Sequence, residues 1–188
     1  MSRKLRHDYA SFAKRASGSA ETTASMAAIW EVLTSLGGET RYFYMNWIWT
    51  LRELIDWIIG GPGFTRGRRD DRDVRVGDTI DYWTVVDVEI GRRLTLYFGM
   101  KAPGTGILEF TVDPVRGDCM RVAVTAYWDP RGAWGLLYWA LLVPFHLFLF
   151  RGMTRAIARR AEALEAAIAT GSPGNVRRDL VSPPTAEE

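Results

Sequence analysis

The stretch Trp134 to Ile168 constrains this chain more than any other. Its first part, WGLLYWALLVPFHLFLF over Trp134–Phe150, carries no Asp, Glu, Lys or Arg. Its second part, RGMTRAIARRAEALEAAI, carries a helical stripe. Leu147, Phe150, Thr154, Ile157, Ala161, Leu164 and Ile168 recur at spacings of three and four, one face of a helix. Arg151, Arg155, Arg159, Arg160, Glu162 and Glu165 take the other side. Pro144 has no N–H and disfavours helix at Val143, which predicts a break or kink there. The second helix then starts near Pro144 and ends at Gly171, with Pro173 close behind. Trp134–Phe150 is at the short edge of what spans a bilayer. Pro144, His146 and the charged helix fused behind it favour a buried core element. Membrane insertion or surface docking is the competing reading.

The chain ahead of this stretch reads as a sheet. Strand patterns lie near Asp78–Glu89, Arg93–Lys101, Gly106–Val112 and Met120–Trp128. Gly91, Pro103-Gly104 and Asp113-Pro114 with Gly117 separate them, an antiparallel meander. Residues 8–21 alternate weakly, as an edge strand does. Ala24–Leu36 reads as a helix with Met26, Ile29, Trp30, Leu33 and Leu36 on one face, stopped by Gly37-Gly38. Arg41–Met45 reads as a short aromatic strand. Asn46 can cap a helix from Trp47, with Trp47, Ile48, Leu51, Leu54, Ile55 and Ile58 as its apolar stripe. Gly60–Gly77 reads as a loop. The fold class is therefore α+β: a curved antiparallel sheet around a long C-terminal helix, with two shorter helices in the N-terminal half. A length of 188 residues suits one domain. Residues 1–7 are expected to be flexible, 8–171 to fold, and the proline-rich 172–188 to be disordered.

Register follows from the pattern. With Val88 facing Leu94, Val86 faces Leu96, Thr84 faces Phe98 and Tyr82 faces Met100. With Met100 opposite Leu108, Phe98 meets Phe110 and Leu96 meets Val112. One face is then almost wholly apolar. On the other face, Asp81 falls opposite Lys101 and Trp83 opposite Gly99, with Glu109 diagonal to Lys101. Arg121 and Tyr127 join that side. Asp81, Trp83, Lys101 and Glu109 are thus expected to form one polar cluster. It is either a set of cross-strand ion pairs in water or the head-group end of a pocket.

Several function classes drop out. A net charge of +2 implies no nucleic-acid field. Cys119 is the only cysteine, so an internal disulfide and a cysteine-cluster metal site are excluded. The N-terminal MSRKLRHDYASF has no apolar run of signal-peptide length, so a cytoplasmic location is expected, with inner-membrane association tied to the docking reading. GGPGFTRG follows a helix and lacks a Gly-Lys-Ser/Thr ending, so it is not a phosphate loop. No nucleophile–His–acid set and no metal spacing is readable, and no cofactor is expected. His146 reads first as a hydrogen-bonded core residue.

GGETRYFYMNW, RVGDTIDYW, GMKAPG with ILEF, and AYWDPRGAWGLLYW followed by PFHLFLFRGM are matching words that span about Ala24 to Glu162. By them the chain resembles the START-like (SRPBCC) superfamily of the helix-grip fold. More closely, it resembles a bacterial domain family of unknown function. That domain is often fused behind NAD(P)-binding, short-chain-dehydrogenase-like domains and here is expected to stand alone, so no nicotinamide site is carried over. The resemblance implies a sheet gripping the C-terminal helix over a hydrophobic cavity. It also implies recurring positions Asp81, Trp83, Lys101 and Glu109, and no accepted catalytic residues. The first function it suggests is binding of an apolar small molecule or lipid, walled by Tyr82, Phe98, Met100, Phe110 and Trp128 with His146 as a polar contact. An enzyme of cyclase or aromatase kind would use Asp81, Glu109 or His146 as acid or base. A membrane-associated protein would use residues 134–150 and 47–58.

Overall fold

The structure is a computed structural model that describes residues 9–37, 43–44, 50, 57–58, 74–99 and 102–171. A single 3-10 turn at Tyr9–Ser11 leads into strand β1, Lys14–Thr22. Helix α1 covers Met26–Thr34. Strands β2 Thr79–Ile80, β3 Trp83–Glu89, β4 Arg93–Phe98, β5 Gly104–Arg116 and β6 Cys119–Pro130 follow, and helix α2 runs from Gly132 to Ala169. The strands make one sheet in the order β1-β6-β5-β4-β3-β2, antiparallel throughout. The expected α+β, helix-grip class is the class observed. Residues 8–21 do hold an edge strand, and the meander closes onto it through β6.

Alternation along each strand decides what the sheet's two faces carry. Leu94, Leu96, Phe98, Leu108, Phe110, Val112, Val122, Val124 and Trp128 point to one face and are buried against the helices. Odd-numbered residues of β4 to β6 point the other way. That second face is not simply wet. Ile107, Tyr97 and Tyr127 pack there with Val86 beneath Tyr9 and Phe12, a small second apolar layer.

The register differs from expectation in two ways. Val88 does face Leu94, but β3 bulges between Val85 and Asp87. Ahead of the bulge, Val85 pairs with Leu96 and Trp83 with Phe98. A bulge inserts one residue, so the β3 side chains before it change face. Trp83 and Val85 therefore enter the main core, and Val86 joins the second layer. Between β4 and β5, Leu96 pairs with Leu108 and Leu94 with Phe110, four residues from the expected register. An even shift preserves the faces, so the apolar side survives it.

Ser25 caps α1, its hydroxyl accepting from the Ala28 N–H. Carboxylates of α2 hold the β1–α1 connection. Thr22 donates to Glu162 Oε1 at 2.6 Å, and the Ser25 N–H donates to Glu165 Oε2 at 3.1 Å. Where α2 crosses β1, the contact is backbone on backbone. A Cβ at Gly18 would lie 2.7 Å from the Arg151 nitrogen and the Phe150 carbonyl carbon.

Helix α2 is a correction. It is one helix of 38 residues with Pro144 inside it, rather than two helices with a break at Val143. Proline leaves the carbonyl four residues earlier without an intrahelical donor. Here that residue is Ala140, and both Ala140 and Pro144 are exposed, so water can serve the freed carbonyl. Trp134–Phe150 is also not a fully buried core element. Trp139, Leu149 and Phe150 face inward, but only 22% of the most apolar 18-residue window of α2 is buried.

Other expectations fall largely outside the described residues. Of the strand expected at Arg41–Met45, Phe43 and Tyr44 are seen, and both lie in bends, Phe43 with φ 61°. Phe43 is buried beneath the Arg160 guanidinium, 4.4 Å from its ring centre. Of the helix expected from Trp47, Thr50, Trp57 and Ile58 are helical. Trp57 and Ile58 are both exposed. The N-terminal residues 1–7 expected to be flexible and the 172–188 tail lie outside the described residues, as does most of the Gly60–Gly77 loop.

Candidate functional site

Two aromatic groups line the inner face. Tyr82 lies in the turn between β2 and β3, where it meets Phe98 edge-on at 6.4 Å and Trp83 at 5.5 Å. Trp83 and Phe98 are 5.4 Å apart. The other group joins β6 to α2. Trp128 stacks on Trp139 at 6.4 Å and touches Tyr138 at 5.4 Å. Trp139 touches His146, which stacks on Phe150 at 5.0 Å and 7°. Gly106 lies between the two groups: a Cβ there would be 3.2 Å from Phe98 Cβ and 3.3 Å from the Trp128 ring. Gly104 is likewise bare beneath the Trp128 indole. The two glycines thus clear a strip of β5 for one large ring. Trp128 Nε1–H donates to the Gly135 carbonyl at 3.2 Å, which ties the end of the sheet to the start of α2.

Of the expected wall residues, Tyr82, Phe98, Phe110 and Trp128 are all buried on this inner side, and His146 is half-buried beside them. Met100 lies outside the described residues. Sequence periodicity missed Tyr138 and Trp139, although both stand in the aromatic run that opens α2.

The expected polar cluster is divided. Trp83 crosses to the inner face with the bulge, and its indole N–H is buried without an acceptor among the described residues. Asp81 is buried in the left-handed turn before β3, with φ 53°, next to Gly37. The Gly99 N–H bonds the Tyr82 carbonyl, one position away from the expected pairing. Lys101 lies outside the described residues. Glu109 faces the opposite side, across from Thr95 and Thr125. There it accepts from the Tyr9 hydroxyl and from the Tyr127 hydroxyl, the latter at 3.1 Å. Tyr9 and Tyr127 also meet edge-on at 5.1 Å. Tyr127 was expected on this side. Arg121 lies on this side too, but away from Glu109, where it pairs with Glu21 at 2.8 Å. Tyr9 could not be anticipated, since it belongs to no periodic run.

The chemistry of this outer group is that of a latch. Burial, reinforced by the Glu109 carboxylate, pushes the Tyr9 phenol up to about 12. Burial also raises Tyr127, with Glu109 adding to it. A phenol held above its unfolded value of about 10 contributes stability that is intact below pH ~10 and lost as pH rises toward 12. Tyrosinate absorbance of the native protein is expected to show phenols titrating well above the ordinary range. In Tyr9→Phe the loss of stability over that window becomes shallower, as urea midpoints measured against pH would show. A native protein whose tyrosines all titrate near 10 would contradict the latch. Among the described residues, no group of three His, Cys, Asp or Glu side chains could hold a metal ion.

Comparison with solved structures returns matches at low identity. A norcoclaurine synthase point mutant from Thalictrum flavum, in complex with a transition state analogue, is 14% identical. It covers 81% of this chain and 96% of its own, with a TM-score of 0.49. A START superfamily protein from Mycobacterium smegmatis is 15% identical over 80% of this chain and 98% of its own, with a TM-score of 0.44. No curated protein matches the chain. The family described as "protein of unknown function (DUF2867)" matches residues 8–153, so the whole described sheet, α1 and the first half of α2 lie inside its span, and the chain belongs to that family.

Proposed function

We propose that the protein binds an apolar small molecule or lipid at the inner face of the sheet, beneath α2, in the cytoplasm. Trp83 carries this reading. Its indole N–H is buried among Tyr82 and Phe98 with no acceptor among the described residues. An unmade buried hydrogen bond costs about 1–3 kcal/mol, and a ligand oxygen placed there recovers it. The surrounding rings supply area for an apolar body, and one donor supplies orientation. The reading as an acid–base enzyme, of cyclase or aromatase kind, has less support. Asp81 and Glu109 do not share a site, and Glu109 is engaged by two phenols on the far face.

Native mass spectrometry of the purified chain is expected to show an apolar molecule carried along with it. Binding of a fatty acid or a polycyclic phenol is expected to quench tryptophan emission. Trp83→Phe should weaken an acceptor-bearing ligand by about tenfold, while an apolar ligand without an acceptor should be affected much less. An empty protein indifferent to both probes would sink the reading.

A further inference from the structure

The first half of α2 has a face that stays largely exposed among the described residues, although Phe148 near its end touches the Tyr44 ring at 5.9 Å. Trp134, Leu137, Leu141, Phe145 and Phe148 follow at spacings of three and four, so they form one stripe. These five side chains are between 48% and 76% exposed. The stripe is about 21 Å long at 1.5 Å per residue. No Asp, Glu, Lys or Arg lies anywhere between Gly132 and Phe150. A helix face turned to water ordinarily carries such groups.

The line does not end at Phe148. Arg151, Arg155 and Arg159 continue it at spacings of three and four, all exposed. None of the three is in an ion pair among the described residues. One helix face is therefore apolar over its first part and cationic over its second.

We propose that this face docks on an anionic lipid surface, with α2 lying in the plane of the interface. The apolar stripe enters the boundary between headgroups and acyl chains, and the arginine run meets lipid phosphates. Spanning is not the geometry. Phe150, Met153, Ile157 and Leu164 on the same helix are buried in the core, and insertion would strip them out. A second copy is the weaker occupant. Laid antiparallel and centred on Leu141, it sets Arg151 of one helix against Arg131 of the other. The proposal is independent of the ligand reading, because it uses the outer side of α2.

The test is cosedimentation of the full chain with phosphatidylcholine vesicles, with and without phosphatidylglycerol. Strong pelleting is expected only with the anionic vesicles, weakening as salt rises. Arg151→Gln and Arg155→Gln should each lower partition roughly fivefold, at about 1 kcal/mol per charge. The double variant Leu141→Asp, Phe145→Asp should lose at least about tenfold. Its circular dichroism and melting should stay unchanged, since both side chains are exposed. Vesicles should shift tryptophan emission to the blue, and Trp134→Phe should reduce that shift. Three outcomes overturn the proposal: no pelleting with either vesicle, equal pelleting with both, or a dimer by sedimentation equilibrium that the double variant breaks while vesicles go unbound.

Discussion

Replacing Phe110 by alanine lowers the free energy of unfolding by about 3–5 kcal/mol. Phe110 is fully buried on a central strand, with Leu94 across from it on β4 and Val124 across from it on β6. Those neighbours are fully buried too and anchored in strands, so they cannot collapse into the space the ring leaves. Domains of this size are stable by about 5–15 kcal/mol, so the variant sits near the edge of folding. Urea denaturation monitored by circular dichroism reads the change. A loss below about 1 kcal/mol would mean that the centre of β5 does not hold the core.

Gly18→Val is the second large effect. It acts by crowding rather than by leaving space. The added Cβ would meet α2 backbone atoms at 2.7 Å, and backbone in a hydrogen-bonded helix cannot turn aside as a side chain can. Either β1 or the Phe150–Arg151 turn must move, at a cost of about 1–3 kcal/mol or more. Ser17→Val is the control. Ser17 is the exposed neighbour on the other face of β1, and its change should stay within about 0.5 kcal/mol. If the two variants melt alike, helix and strand do not approach as closely as described.

Most of the architecture was legible because period-two alternation is a strong signal wherever one face is buried. Leu94-Thr95-Leu96-Tyr97-Phe98 and Ile107 through Val112 declare their faces without help. The bulge was harder to read. Val85 and Val86 stand side by side in the sequence, and adjacent apolar residues in a strand serve two faces. That sign carries weight only if the outer face is known to hold its own apolar layer. The layer depends on Tyr9 and Phe12, which reach it from a segment with no pattern of its own. The polar cluster failed for the same reason, since a one-residue slip moved Trp83 to the inside and left Glu109 outside. Pro144 misled in the opposite direction. Its usual helix-breaking effect presumes a carbonyl that cannot find water, and the exposure of Ala140 is a tertiary fact no local rule contains.

The strand order also sets a timetable. Among the described strands β1 bonds only to β6, whose residues lie about a hundred positions downstream. At synthesis rates of about 5–20 residues per second, the first strand waits roughly 5–20 seconds for its mate. During that interval Lys14, Arg15, Ser17, Ser19 and Glu21 are its protection, since charged and small polar side chains discourage pairing with strangers. Closure must then bridge that long separation, which places the chain among slow folders with high contact order. A shortened chain ending before β6 would leave β1 without a partner at all, and would be a ready substrate for chaperones and proteases.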